Sequence, residues 1–471
     1  MKPTQTQLHL PISAFSGESL ENTAEGEING RAANRLAQGD RAFHDWYRFV
    51  LSFPPHLVSK YIEDFGLDRR HVILDPFCGT GTTIVESKLR GIRTIGIEAN
   101  IFAHFASSVK VDWEIDPDLL KRKARDIGDS VLRLLRADGI DDNGAFKGRL
   151  KDIKLRTLDA EVAPLLLTNS ISPLPLHKSL LLLDCLKKHE SEQYYRHALL
   201  ALANALVFRI SNLHFGPEVG VGKPKTDVPV VATWLCEIEK IANDLRLVKN
   251  KSFPRCKVYL GDARNVSSII EANSVDAVIT SPPYPNEKDY TRTTRLESVI
   301  LGFIKSKLEL RGMKKNMIRS NTRGVYKGDE DDKYVEGHSE IQRIAEAIER
   351  RRKELGKDSG FERLYGTVTK LYFGGMAHHL ADLRSVLRPG AQLAYVVGDQ
   401  ASYLRIMIRT GRLLADIAEL LGYELMRIEL FRTRYATATR EQLREEVVVL
   451  RWPGGKEVKR WPKQKTDIRR L

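Results

Sequence analysis

The stretch HVILDPFCGTGTTIVESKLRGIRTIGIE, residues 71–98, decides the fold class. The apolar run at 71–76 predicts a buried strand, because it is short, continuous and followed by a glycine turn. The residues TTIVESKLR continue at helical spacing, and RTIGIE at 93–98 predicts a second strand. A strand, a glycine loop, a helix and a further strand form the opening unit of a doubly wound sheet.

Further elements extend this unit into one α/β sheet that two insertions interrupt. Strands are predicted at KVYLGD (257–262), VDAVIT (275–280), QLAYVVGD, YELMRIEL and EEVVVLRW. The residues MAHHLADLRSVL predict a helix, and Arg388-Pro389-Gly390 predicts a turn after it. The two insertions are mostly helical in period, as in YYRHALLALANALVFRISNL and EIQRIAEAIERRRKELGK.

These patterns divide the chain into seven parts. They are an N-terminal arm (1–40), a first core part with the glycine loop (41–100), a helical insertion (101–250), a second core part (251–305), a charged helical insertion (306–365), a C-terminal core part (366–451) and a basic tail (452–471).

The charge of the chain favours a polyanionic partner such as nucleic acid. The formal net charge is +14, from 75 Lys and Arg against 61 Asp and Glu. The segment 451–471 alone has eight basic and two acidic residues, interleaved with Trp452 and Trp461, which suits nucleic acid. A solvated basic surface and a solvated, disordered tail are the alternative interpretations.

Cysteine usage and hydropathy limit the class of protein. Cys78, Cys185, Cys236 and Cys256 are scattered without a CxxC pair, so we expect no disulfide framework and no metal site. The N-terminus has no long apolar core, and the stretch LLLLDC is too short to span a membrane. A cytoplasmic protein that does not enter a membrane is therefore expected.

The glycine loop, residues 75–83 (DPFCGTGTT), predicts a nucleoside site. Gly79 and Gly81 follow a strand and precede a helix, where glycine permits a tight turn and close approach of a ligand. Glu98 ends the next strand, 19 residues beyond Gly79, where a carboxylate can accept hydrogen bonds from ribose hydroxyls. Ile84 occupies the third glycine position of a dinucleotide loop, and no GK[ST] motif is present. An adenosyl ligand fits best, and a purely structural turn is the alternative.

Asp262 follows the strand at 257–262. At the carboxyl edge of the sheet its carboxylate can accept from the amino group of an adenine. A carboxylate that caps a loop or helix is the alternative interpretation.

The residues Ser281-Pro282-Pro283-Tyr284, the SPPY loop, follow the strand at 275–280. Two prolines stiffen the loop and remove two backbone donors, so the Pro282 carbonyl can point outward beside the Ser281 hydroxyl. Two such acceptors can orient an exocyclic amine, and the Tyr284 ring can stack on a base taken out of its helix. A rigid turn after a strand is the alternative.

DPFCGTGTT with Glu98, GDA at 261–263 and TSPPYPNEKDYTR together resemble the S-adenosylmethionine-dependent DNA amino-methyltransferases. SPPY rather than DPPY is similar to their cytosine-N4 branch, and FHDWYRFVLSFPPHLV resembles the segment that contacts the methionine part of the cofactor. SNLHFGPEVGVGKPK (211–225) also resembles a family segment, without a role that the residues indicate. No cysteine follows a proline, so the thiolate chemistry of carbon-5 methylation is not expected.

The resemblance implies a Rossmann-like methyltransferase fold with a mostly parallel, seven-stranded sheet and two mainly helical insertions. It implies transfer of a methyl group from S-adenosylmethionine to the N4 amine of cytosine in double-stranded DNA, as part of a restriction-modification or related system with a possible cognate endonuclease. Adenine-N6 methylation, RNA base methylation and a non-catalytic DNA-binding module are the alternatives. The insertions are the candidate DNA-reading segments, and no oligomeric state is implied.

The same resemblance implies two sets of site residues. The catalytic residues are Ser281, Pro282, Pro283 and Tyr284. The cofactor-binding residues are Phe53, Pro54, Asp75, Phe77, Gly79, Gly81, Thr82, Thr83, Glu98, Asn100, Asp262 and Ala263.

Overall fold

A computed structural model describes residues 41–49, 52–146, 148–215, 219–286, 288–436 and 441–455. The predicted N-terminal arm and most of the predicted basic tail lie outside these described residues.

Seven strands form one sheet, and two short strands form a separate hairpin. The strands are β1 (Val72–Asp75), β2 (Arg93–Glu98), β3 (Leu213–Phe215), β4 (Val219–Val221), β5 (Lys257–Leu260), β6 (Val275–Thr280), β7 (Leu387–Gly398), β8 (Glu424–Ala436) and β9 (Glu441–Arg451). The large sheet has the order β5-β2-β1-β6-β7-β9-β8, and β9 runs antiparallel to both of its neighbours. The pairs among β5, β2, β1, β6 and β7 are parallel. The predicted α/β class with a mostly parallel seven-stranded sheet is confirmed.

Helices cover both faces of this sheet. Among the described residues the α-helices are α1 (Pro55–Asp64), α2 (Thr82–Leu89), α3 (Ile101–Lys110), α4 (Pro117–Ala137), α5 (Pro173–Lys187), α6 (Tyr195–Ala205), α7 (Val230–Val248), α8 (Tyr290–Thr293), α9 (Arg295–Ile300), α10 (Lys307–Lys315), α11 (Ser339–Glu354), α12 (Tyr365–Leu383) and α13 (Thr410–Leu420). A π-helical turn, Leu206–Ile210, extends α6. In the part of the chain that the structure describes, no helix is long and apolar enough to cross a membrane.

Two apolar layers hold the sheet between helices. On one face, α1 buries Val58 and Tyr61 against side chains of β1, β6, β7 and β9 such as Ile279. On the other face, α12 and α13 pack with Val278 and Leu393. Burial on both faces explains why β6 is a mostly apolar run. The observed bounds of β2 and β6 coincide with the predicted ones.

The first insertion forms a helical layer of its own at one end of the sheet. Helices α4 to α7 bury a common apolar cluster that includes Ile127, Leu200 and Trp234. Helix α3, which the sequence division also assigns to this insertion, packs both on α6 and on the strands β2 and β5. The second insertion contributes α10 and α11, and α11 packs on α12. The division into seven parts stays a prediction.

The predicted turn at Arg388-Pro389-Gly390 is wrong, because these residues lie inside β7. The strand is irregular there: Val275 of β6 pairs with Leu387, whereas Ala277 pairs with Gln392. Gly390 has φ +90° and donates its N–H to the Trp452 carbonyl at 2.7 Å. The turn residues therefore form a bulge within the sheet rather than a connection before it.

The Trp452 ring is packed inside the fold and cannot stack on a nucleic acid as part of the tail. Its side chain is buried, and its ring centroid lies 5.2 Å from that of Tyr423. Its backbone N–H donates to the Ala391 carbonyl at 2.8 Å, so the residue continues the pairing of the sheet. The interpretation of Trp452 as part of a nucleic-acid-binding tail is therefore wrong, and Trp461 lies outside the described residues.

Candidate functional site

A cavity of about 340 Å³ opens at the carboxyl ends of β1, β2 and β6. This edge of a parallel sheet is where ligands bind in doubly wound folds. The structure brings both predicted sets of residues together there. The predicted residues that line the cavity are Phe53, Pro54, Phe77, Gly79, Thr82, Glu98, Asn100, Ala263, Ser281, Pro282, Pro283 and Tyr284. Asp75, Gly81, Thr83 and Asp262 are absent from the lining.

The two glycines of the glycine loop have different surroundings. Gly79 has φ +52° and lines the cavity, where a Cβ would meet only the Phe49 ring, at 3.7 Å. Gly81 has φ +86°, and a Cβ there would lie 3.0 Å from the Ser107 Cβ of α3. Gly81 therefore permits the turn into α2 and its close packing on α3, while Gly79 leaves backbone open to a ligand.

Glu98 fixes the conformation of the glycine loop. Its Oε2 accepts a hydrogen bond from the Gly79 N–H at 2.8 Å, and its Oε1 accepts from the Asn100 N–H at 2.7 Å. Burial raises the pKa of this carboxyl to about 7, although the two backbone donors favour its charged form. The same carboxylate lines the cavity, so its remaining acceptor capacity faces the space where a ligand would bind.

Asp75 and Thr83 lie beneath the cavity floor. The Asp75 Oδ1 accepts from the Thr280 hydroxyl at 2.6 Å and from the Phe77 N–H at 3.2 Å. Burial raises the pKa of Asp75 to about 6, with the Thr280 and Thr83 hydroxyls opposing that shift. The Thr83 hydroxyl donates to the Ile279 carbonyl at 3.1 Å. Both side chains thus join the glycine loop to β6, which leads into the SPPY loop.

Asp262 is engaged by its neighbour Arg264. Its Oδ1 accepts from the Arg264 backbone N–H at 2.9 Å, and its Oδ2 accepts from the Arg264 Nη2 at 2.6 Å. This contact corresponds to the capping alternative. The role of Asp262 as an acceptor for an adenine amino group stays a prediction.

Asn100 and Phe77 are cavity-lining residues with structural contacts as well. The Asn100 Oδ1 caps α3 by accepting from the Phe102 N–H at 3.1 Å, and its Nδ2 donates to the Thr294 hydroxyl at 2.9 Å. The Phe77 ring packs edge-on against His379, with centroids 4.9 Å apart. Both therefore hold their places in the wall independently of a ligand.

The SPPY loop is held against β7. The Ser281 hydroxyl donates to the Val396 carbonyl at 3.2 Å, and its side chain is also hydrogen-bonded to that of Tyr284. The Tyr284 backbone N–H donates to the Tyr290 hydroxyl at 3.2 Å. The Tyr284 ring packs so closely on β7 that a Cβ at Gly398 would lie 2.9 Å from it. Burial, followed by the nearby Glu445 carboxylate, raises the pKa of Tyr284, so its hydroxyl stays neutral.

Sequence reasoning missed one wall of the cavity. This wall comes partly from the residues just after SPPY and partly from segments far from the motifs, and it is formed by Asn286, Lys288, Tyr290, Asn316, Met317, Ile318, Val396, Phe431, Arg432 and Glu445. Asn286, Lys288 and Tyr290 lie in the quoted stretch TSPPYPNEKDYTR, so their proximity to SPPY was the only available signal. The others approach the cavity through the second insertion and through the pairing of β7, β8 and β9.

Lys110 joins two cavity-lining segments from behind. Its side chain is fully buried, and its Nζ donates to the Thr80 carbonyl at 2.8 Å and to the Tyr47 carbonyl at 3.2 Å. Burial, followed by the Arg48 charge, lowers the pKa of Lys110 to about 7. The Tyr47 hydroxyl in turn donates to Glu297 of α9, where burial raises the pKa of the carboxyl to about 8. The segment before α1, the glycine loop and the helix after the SPPY loop are thereby connected.

Comparisons with known proteins indicate the same class as the motifs. Residues 17–107, which contain the glycine loop and Glu98, match a family model described as DNA methylase. The chain is 25% identical over 467 residues to Type II methyltransferase M.BsoBI of Geobacillus stearothermophilus, covering 90% of this chain and 87% of that protein. It is 24% identical over 438 residues to Type II methyltransferase M.AvaI of Nostoc sp., covering 87% and 86% respectively.

The similarity among solved structures is weaker. TrmN from Thermus thermophilus aligns with 88% of this chain and 53% of its own, at 11% identity and a TM-score of 0.30. A score this low supports no inference about the site. The predicted resemblance to the amino-methyltransferases is confirmed by the family match and the two Type II methyltransferases.

S-adenosylmethionine is the cofactor that these similarities imply, and the residues of the cavity fit it. The Glu98 carboxylate stands beside the open backbone of Gly79, as a ribose requires. Phe77, Pro54 and Ala263 supply apolar wall for a flat base and a thioether chain. No group of three His, Cys, Asp or Glu side chains among the described residues is placed to hold a metal ion.

Proposed function

We propose that this methyltransferase, whose likeness to Type II methyltransferases spans most of its length, methylates the exocyclic N4 of cytosine in double-stranded DNA. The observation that carries the proposal is that one cavity is lined both by the glycine loop with Glu98 and by the SPPY loop. A cofactor held by the first and a base held by the second would meet inside a single enclosed space. Alignment of the two reactants would then be the main source of catalysis.

The proposed chemistry is direct transfer to nitrogen. When bound, S-adenosylmethionine supplies an activated methyl group on its sulfonium. Ser281 and the Pro282 carbonyl accept the two hydrogens of the amine, which turns its lone pair out of the plane of the base. That lone pair forms the bond to the methyl carbon as the bond from this carbon to sulfur breaks and leaves a thioether, and the nitrogen then releases one proton to solvent water. The Tyr284 ring stacks on that base after it has left the duplex. Tyr284 is fixed by its packing on β7 at Gly398, so the stacking face is in place beforehand.

The residues of the proposed cofactor site either contact the cofactor or support the glycine loop. Glu98 accepts from the ribose hydroxyls, Gly79 offers its backbone, and Phe53, Pro54, Phe77, Thr82, Asn100 and Ala263 form walls. Asp75, Gly81 and Thr83 support the glycine loop from below or behind. Asp262 is proposed to accept from the adenine amino group with the lone pairs that Arg264 leaves unused.

The two insertions are proposed to read the DNA, and a cognate restriction endonuclease is a proposed partner. The Type II names of the two relatives support membership of a restriction-modification system. The core motifs leave no other large segment of the described residues for this role.

Transfer of radiolabelled methyl from S-adenosylmethionine to mixed bacterial DNA, compared with transfer to RNA, tests the proposal. We expect label in DNA only, removed by deoxyribonuclease, and none with Ser281→Ala at short times. Label in RNA would support RNA base methylation instead. Cofactor binding without transfer to either nucleic acid would support a non-catalytic module.

A further inference from the structure

We propose that helix α10, Lys307–Lys315, binds the DNA backbone beside the target base. The side chains of Lys307, Arg311 and Lys315 contact phosphates. This inference rests on the proposed DNA substrate. It assigns the DNA contact nearest to the cavity to the second insertion rather than the first, and to one face of one helix.

The three cations form a stripe on the outer face of α10. They recur every four residues, a spacing that places side chains above one another on a helix. All three are exposed, and none forms an ion pair with a described carboxylate. The Arg311 guanidinium lies 5.1 Å from the Tyr326 ring centroid, which holds it in place without neutralising it.

Glu309, the only acidic residue of α10, caps the amino end of the helix. The Glu309 Oε2 accepts from the Lys305 N–H at 2.7 Å, and the Glu309 N–H donates to the Ser306 hydroxyl at 3.1 Å. This reciprocal cap leaves the outer face positive. Leu308, beside the stripe, is 79% exposed, more than the other large apolar side chains of the described residues that are exposed.

The inner face fixes α10 to the catalytic end of the molecule. Met313 is buried in a cluster with Leu165, Val299 and Ile304. The Lys314 Nζ bonds the Asp289 Oδ2 at 2.6 Å, and both side chains are largely buried. Asp289 lies five residues beyond Tyr284 and caps α8 by accepting from the Thr291 N–H at 3.0 Å. The helix is therefore tied to the chain that leaves the SPPY loop.

The end of α10 leads directly into the cavity wall. Asn316, Met317 and Ile318, which follow Lys315, all line the cavity. A nucleotide whose base enters the cavity keeps its phosphates outside, so the flanking backbone must pass close to α10. The stripe is about 12 Å long at 1.5 Å per residue, or roughly three to four nucleotide steps of one strand.

The test compares two triple variants of the full chain on a mixed-sequence duplex of about 30 base pairs. The first carries Lys307→Gln, Arg311→Gln and Lys315→Gln. The matched control carries Arg69→Gln, Arg93→Gln and Lys257→Gln, three exposed cations before β1 and at the amino ends of β2 and β5, at the edge of the sheet opposite the cavity. Dissociation constants are measured against salt concentration, with thermal melting and cofactor titration to verify that both variants are folded.

The α10 variant should flatten the slope of log affinity against log salt by on the order of 2 to 3, since each lost phosphate contact removes about 0.9. The control should keep the parental slope, and Lys307→Arg with Lys315→Arg should keep it too. An unchanged slope for the α10 variant overturns the inference, as does an equal loss in the control with Arg69→Gln, Arg93→Gln and Lys257→Gln. Failure of the proposed function is separate: methyl found on adenine or RNA would refute it whatever these slopes are.

Discussion

At the scale of single residues, Ser281 has a proposed role in catalysis that folding does not require. Its hydroxyl donates to the Val396 carbonyl at 3.2 Å, its side chain is also hydrogen-bonded to that of Tyr284, and both residues line the cavity. Removing the hydroxyl should leave the sheet and the cofactor site unchanged. It should also remove an acceptor from the amine at the moment the nitrogen attacks.

We therefore expect Ser281→Ala to transfer methyl on the order of 10²-fold more slowly in single-turnover reactions, the typical loss for one such polar contact. Its melting temperature and cofactor affinity should match those of the parent. Parental transfer rates would remove Ser281 from the chemistry. Unfolding of the variant would show that the hydroxyl is structural.

Glu98 predicts a pH dependence of cofactor binding. Burial raises the pKa of its carboxyl to about 7, and only the charged form can accept from ribose hydroxyls while holding the Gly79 and Asn100 N–H groups. As the pH falls through about 7 the carboxylate takes up a proton, so cofactor affinity should fall. Calorimetric titrations between alkaline and mildly acidic pH measure the effect.

Glu98→Gln is the matched control for that titration, because it keeps the shape and removes the charge. Its affinity should be lower by roughly 1 to 3 kcal/mol above neutral pH and should not change further on acidification. A parental pH profile in Glu98→Gln would assign the titration to another group and contradict the role of Glu98.

At the scale of elements, Lys110 holds the glycine loop and the segment before α1 together. Lys110→Met removes the donor from the buried carbonyls of Thr80 and Tyr47. An unsatisfied buried polar group costs about 1 to 3 kcal/mol, so we expect a lower melting temperature. Cofactor affinity should fall as well, since Thr80 and Phe49 both line the cavity.

Lys257→Met is the control for Lys110→Met, because Lys257 is exposed on the edge strand β5. It should leave melting and cofactor binding unchanged. If Lys110→Met melts like the parent and binds cofactor equally well, the buried connection behind the cavity has no function.

The elements that could be predicted are those whose pattern of polar and apolar residues reflects their burial in the fold. Strand β6 is a short, mostly apolar run because both of its faces are buried, and the predicted bounds of β2 and β6 agree with the structure to the residue. The bulge at Pro389 and Gly390 was mistaken for a turn, because the same residues favour both and only pairing with β6 distinguishes them.

The site was predictable to a similar extent. Residues adjacent to a motif, such as Phe77 or Tyr284, were found because they share its loop. Phe431, Arg432 and Glu445 were missed, since they reach the cavity only through the pairing of β8 with β9 and β7. The engagement of Asp262 by Arg264 depends on side-chain geometry that no motif encodes.

At the scale of the whole molecule, the excess of positive charge predicts a contribution of the C-terminal segment to DNA affinity. Removing residues 456–471, which lie outside the described residues and carry seven Lys and Arg, should flatten the slope of log affinity against log salt. The target base and the cofactor affinity should stay the same. An identical slope for the shortened chain would show that the segment does not contact DNA.

The central claim is that a cofactor at the glycine loop and a cytosine at the SPPY loop meet in one cavity. The most direct measurement is to methylate DNA with the purified protein and S-adenosylmethionine, digest the DNA to nucleosides and identify the modified one by mass spectrometry. We predict that the modified nucleoside is N4-methyldeoxycytidine. It should be absent from a parallel reaction with Ser281→Ala that is stopped at the same early time. N6-methyldeoxyadenosine as the product would contradict this prediction.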